Sequence, residues 1–176
     1  VSVVVNAAQT ETILFGANGV AETLGEGAVF ISSATMDPDV ARRLARQLEA
    51  TGRLYLDAPI SGGAQRAAQG ELTILASGSP AAFSKARPAL DAMAAKLYEL
   101  GDAAGEGAAF KMINQLLAGV HIAAASEAIA FAENGDYRLY RAARRSRRIE
   151  GDERPRLSGR SDAAQSPVLH VRHTWL

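Results

Sequence analysis

Three polar residues, Lys111, Asn114 and Gln115, sit at i, i+3 and i+4 in the stretch GDAAGEGAAFKMINQ, residues 101–115. On a helix Asn114 falls about 60° to one side of Lys111 and Gln115 about 40° to the other, so the three share one arc. A lysine in apolar surroundings has its pKa pushed down, which suits it to exchanging a proton near neutrality. An amide three or four residues on can hold a substrate hydroxyl or the lysine itself. The glycines at 101, 105 and 107 precede this arc, and a helix start offers free N–H groups to an anion. The same residues also suit a solvated helix entry in which Lys111 snorkels to water. A second stretch, DAPISGGAQRAAQGELT at 57–73, runs an apolar segment into Ser61-Gly62-Gly63. Adjacent glycines let backbone N–H groups gather round an anion and let a ligand approach closely. A plain strand end followed by a flexible loop is the alternative.

The flanking pattern supplies elements to position these residues. VSVVVN at 1–6, AVFIS at 28–32 and RLYLDAPI at 53–60 are β-branched or apolar runs, as in strands covered on both faces. Residues 9–24 suggest a short helix with a turn at Gly16-Ala17-Asn18-Gly19. Asp37-Pro38 starts a helix, with Asp37 as cap and Pro38 in the first turn, that stops at Gly52. AQRAAQGE suggests a short helix or turn, LTILAS a strand, 80–96 a helix and LYEL a last strand. Strands alternating with helices predict an α/β fold, a mainly parallel sheet and helices on both faces. One long helix is expected from Gly105 to about Glu133. It is apolar on most sides, so it is expected to be buried on most sides and to lead to a second domain.

Composition narrows the classes. The chain has 176 residues, is 48% hydrophobic and has formal net charge zero. Bulk electrostatics therefore point to neither nucleic acid nor membrane. The apolar run Ala118–Ala132 holds His121 and Glu127 and is too short and polar for a span. With no cysteine there is no disulfide or thiolate metal site, which fits a cytoplasmic protein. No metal site is expected: His121 suits a core position, and His170 and His173 lack carboxylate partners at metal spacing. Residues 134–176 carry ten arginines and no periodic stripe, and are expected to be a disordered or non-native tail.

The strand ending in D-A-P-I-S-G-G, followed about forty residues on by G-x-x-x-G-x-G-x-x-x-K-x-x-N, resembles the β-hydroxyacid dehydrogenase family, which includes 3-hydroxyisobutyrate and L-threonate dehydrogenases. The stretches NQLLAGVHIAAASEAIAFA and VVNAAQTE are most similar to the L-threonate branch. The resemblance implies the C-terminal part of a Rossmann-type parallel-sheet domain at 1–104, a long connecting helix at 105–133 and a divergent tail at 134–176. It implies NAD, with NADP as the alternative, and a small hydroxy acid akin to L-threonate or 3-hydroxyisobutyrate. Lys111 matches the catalytic lysine. Ser61, Gly62 and Gly63 match the loop that holds the substrate carboxylate. Asn114 matches an amide that places the substrate, and some members carry it where this chain has Gln115. Thr35, and Asn6, Ala7 and Ala8, match segments beside the cofactor.

Two family features are missing. The sequence has no G-x-G-x-x-G, the loop that seats the pyrophosphate on a helix N-terminus. After Glu133 the arginine-rich tail replaces the helical domain that closes the site and makes the family's homo-oligomer. The expectation is a fragment, cut within the cofactor domain and altered near residue 134 as by a reading-frame change. No nucleic-acid or membrane partner is expected. The competing expectation is a catalytically inactive remnant acting as a binding or assembly module.

Overall fold

The structure, a computed structural model, describes residues 1–134. In chain order its elements are α1 (Ala7–Phe15), β1 (Val29–Ser32), α2 (Pro38–Glu49), β2 (Leu54–Asp57), β3 (Ile60–Ser61), α3 (Gly63–Ala68), β4 (Leu72–Ala76), α4 (Pro80–Met93), β5 (Ala94–Glu99) and α5 (Glu106–Asn134). The described residues fall into two units, residues 1–119 and 120–134.

In the first unit β1 and β2 pair in parallel, from Val29 opposite Leu54 to Ser32 opposite Asp57. Ser2 adds a parallel bridge to Ser32. β4 and β5 form a second parallel pair, and β3 joins β4 antiparallel. Where β2 and β4 end they meet in an antiparallel bridge, Asp57 to Ser77.

Side chains alternate across a strand, and here the alternation divides two cores. Phe30 and Tyr55 face a cluster with Leu14 of α1 and Ala41, Leu44 and Leu48 of α2, their rings stacked with centroids 6.0 Å apart. Ile31 and Leu56 face the other way, toward Ala82, Phe83, Ala86 and Leu90 of α4. Helices thus cover both faces of the Rossmann-like layer. The helix starts follow local chemistry. The Asp37 carboxylate accepts the Asp39 N–H at 2.7 Å with Pro38 in the first turn, and the Ser79 hydroxyl accepts the Ala82 N–H at 3.2 Å.

Five expectations change. VSVVVN forms no strand: only Ser2 is bridged, and Val1, Val3 and Val5 are exposed because no described residue pairs along their other side. RLYLDAPI breaks at Ala58-Pro59, where Pro59 lacks an N–H to donate, so β2 and β3 join different partners. The helix expected to reach residue 96 ends at Met93. Pairing of Ala94 with Leu72 and of Lys96 with Thr73 recruits those residues into β5 over their helical propensity. The long helix forms as α5 but is not buried on most sides: in the first unit Phe110, Ile113, Leu116 and Leu117 are exposed. In the second unit Val120, His121 and Ile122 are exposed, so His121 is not a core histidine.

Judged from 106 rather than 118, the stretch Glu106–Ala132 is long and apolar enough to cross a membrane, by length and composition alone. Apart from Asn134, the tail assigned to 134–176, with His170 and His173, lies outside the described residues.

Candidate functional site

The first N–H groups of a helix have no partner within it, and a side chain at the N-cap commonly takes one. Residue 105, which precedes α5, is a glycine and has no side chain to offer. Two strand ends supply the acceptors instead. Asp57, the last residue of β2, is fully buried, and its Oδ2 accepts the N–H of Gly105 at 3.0 Å and of Ala108 at 2.8 Å. Ser77, just past β4, accepts the Gly107 N–H on its Oγ at 2.9 Å. The two acceptors adjoin, with Ser77 Oγ 3.4 Å from Asp57 Oδ2.

This seat requires its glycines. Gly105 has φ +101°, and a Cβ there would lie 2.8 Å from the Pro38 carbonyl and the Arg42 side chain. A Cβ on Gly107 would lie 2.4 Å from the Leu75 carbonyl oxygen. The helix backbone therefore rests directly on the strand ends. Gly107→Ala is expected to lift the first turn of α5 and cost about 1–3 kcal/mol, the usual range for overpacking. Chemical denaturation of the purified variant measures it, and an unchanged midpoint would show that the seat has slack.

Burial raises the Asp57 pKa from 3.8 to about 6, although the N–H groups of Ala108 and Gly105, the Ser77 hydroxyl and the charge of Arg42 all pull it down. The burial contribution wins because Oδ1 is enclosed with no partner among the described residues.

Lys111 follows Gly107 by four residues and so lies on nearly the same face of α5, toward the strand ends. It is only 6% exposed. No ion pair or hydrogen bond to it is found among the described residues. Burial lowers its pKa, favouring the neutral amine.

The rest of the polar arc turns outward: Asn114 is half-buried and Gln115 exposed. Ser61 is half-buried and pairs with Thr73. Gly62 and Gly63 are exposed, with φ of +131° and +69°, and the space a Gly63 Cβ would enter is open. Both glycines occupy backbone that side chains disfavour, which accounts for the doublet.

Asn6, Ala7 and Ala8 follow the bridge at Ser2, and Thr35 follows β1. Both groups thus lie beyond the carboxyl ends of neighbouring parallel segments, the edge where open α/β sheets take ligands. Asn6 also has a local task, capping α1 through the Gln9 N–H at 3.0 Å. Thr35 is exposed. Asp57 joins the two motifs, since it stands four residues before Ser61 and bonds Ala108, three residues before Lys111.

Asp57 and Ser77 are the residues that sequence reasoning missed. Their signal was an acid closing an apolar strand, together with a helix that begins on glycines and has no capping side chain of its own.

Residues 1–101 match the family described as the NAD binding domain of 6-phosphogluconate dehydrogenase. The chain is 56% identical over 129 residues to the L-threonate dehydrogenase of Cupriavidus necator, covering 73% of this chain and 43% of that protein. A crystal structure of 3-hydroxyisobutyrate dehydrogenase from Salmonella typhimurium aligns with a TM-score of 0.71 at 48% identity, over 77% of this chain and 47% of the other. The 3-hydroxyisobutyrate dehydrogenase of Mycobacterium tuberculosis, solved with L-serine, aligns with a TM-score of 0.68 at 31% identity, over 74% and 44%. The chain thus spans less than half the length of these relatives.

Proposed function

Because this chain belongs to the family of the NAD binding domain of 6-phosphogluconate dehydrogenase, we propose that it is part of a nicotinamide-dependent dehydrogenase of small hydroxy acids, with L-threonate as the first substrate to test. The observation that carries the proposal is Lys111, a buried lysine with a lowered pKa on a helix seated against the strand that leads into Ser61-Gly62-Gly63.

A bound nicotinamide would supply a hydride acceptor for the carbon that bears the hydroxyl. The neutral amine of Lys111 takes the hydroxyl proton as that carbon becomes a carbonyl, and returns it in the reverse direction. The backbone at Ser61, Gly62 and Gly63 holds the substrate carboxylate, and Asn114 orients the hydroxyl, with Gln115 beside it as the second candidate. Asn6, Ala7, Ala8 and Thr35 would hold the nicotinamide end of the cofactor. Their place beyond the carboxyl ends of parallel segments fits NAD, with NADP as the alternative.

A fluorescence titration of the purified chain with NADH, with and without L-threonate, tests the proposal. Saturable binding that L-threonate alters supports it. No binding at millimolar cofactor would mean that this chain does not exercise the family chemistry.

A second reading, an assembly module without activity, is favoured by the exposed Phe110, Ile113, Leu116 and Leu117 of α5. Any turnover of L-threonate separates the two. In either case we place the domain boundary near residue 105, at the start of α5, although the compact unit runs on to Gly119.

A further inference from the structure

We propose that Asp57, assisted by Ser77, is a positioning residue for Lys111: its carboxylate fixes the first turn of α5 on the strand ends and thereby holds the lysine in its buried place. The proposal rests on the role given to Lys111 above, but it concerns the free protein and needs neither cofactor nor substrate.

Three consecutive links carry it. Asp57 Oδ2 takes the N–H of the residue before the helix and of the third residue within it. Ser77 Oγ takes the N–H between them. Lys111 lies one turn further on the same face, with no ion pair or hydrogen bond of its own among the described residues to keep it there. Its burial is therefore a consequence of where the helix begins. That start depends on side-chain acceptors, because the peptide groups of Gly105, Gly107 and Ala108 have no earlier turn to bond. Burial is the cause that lowers the Lys111 pKa, and the charge that acts on Asp57 is that of Arg42.

The sequence makes the test tractable, since Lys85, Lys96 and Lys111 are its only lysines. The chain labelled with ¹³C at the lysine ε carbon is titrated by NMR, without cofactor or substrate, for wild type, Asp57→Asn, Asp57→Ala and Ser77→Ala. Asparagine keeps a carbonyl oxygen for the two N–H groups, so Lys111 in Asp57→Asn should titrate as in wild type. In Asp57→Ala the lysine should move into water and its pKa shift upward, with Lys85 and Lys96 unmoved as internal references. Ser77→Ala should shift it in the same direction by less.

An unshifted Lys111 in folded Asp57→Ala overturns the proposal. So does an equal shift in Asp57→Asn, which would make the charge rather than the acceptor responsible. Should Asp57→Ala fail to fold, Ser77→Ala decides alone, and an unmoved lysine there overturns it. A negative NADH titration would leave each of these outcomes intact, so the two failures are distinguishable.

Discussion

Lys111→Met is expected to slow hydride transfer from L-threonate by ~10²–10⁴-fold, the usual contribution of a positioned proton acceptor, while the affinity for NADH stays unchanged. Methionine has similar length and no titrating group, so it fills the buried position without the cost of a desolvated amine. The loss should therefore fall on turnover and not on folding. Wild-type oxidation should rise with pH as Lys111 loses its proton. That limb should lie below the range of an exposed lysine, because burial lowers its pKa. The variant should lack the limb. Initial rates across pH for both proteins measure the effect. A variant within a few-fold of wild type, with the limb retained, would remove Lys111 from the chemistry.

Asp57 is expected to make the protein more stable as pH falls from about 7 to about 4, the reverse of the usual behaviour of a carboxylate held by donors. The sign follows from its raised pKa, about 6 in the fold against 3.8 ordinarily. Between those values the folded state binds a proton that the unfolded state does not. The contribution is fully present below about 4 and is lost as pH rises through about 6. At 1.36 kcal/mol per pH unit, the interval from 3.8 to about 6 corresponds to about 3 kcal/mol. Glu11, held low by its hydrogen bond to Arg43, works in the opposite direction, but it is exposed and screened. Comparison with Asp57→Asn isolates the buried group. The gap in melting temperature between variant and wild type should widen in favour of the variant as pH rises through 6. Parallel curves would show that Asp57 is ionised at little cost.

The parts of the fold that were legible in the sequence are those written locally. Asp37-Pro38 announced the start of α2, and the continuous apolar runs through Phe30-Ile31 and Tyr55-Leu56 announced strands covered on both faces. Ser61-Gly62-Gly63 announced a backbone excursion that proved to need positive φ twice. What was not legible depends on distant partners. Ala94 to Lys96 read as the end of a helix until β4 claimed them. The apolar sides of α5 foretold a covering that the described residues do not provide. Lys111 alone could be read as buried or as snorkelling, and the position of the helix start decides between them. Asp57 could not be seen as a cap for a helix whose leading residue, Gly105, lies 48 residues later, because capping rules look only to the adjacent residues.

That distance also orders events in time. The bonds from Asp57 close loops of 48 and 51 residues, and closure of a long loop costs entropy that no neighbouring turn repays. On a chain made from its N-terminus at about 5–20 residues per second, β2 exists for several seconds before Gly105 has been added. In that interval the Asp57 carboxylate has neither of these N–H donors, so a nascent sheet can assemble with its candidate site still unbuilt. The seat of Lys111 therefore cannot be completed before residue 108 has been added.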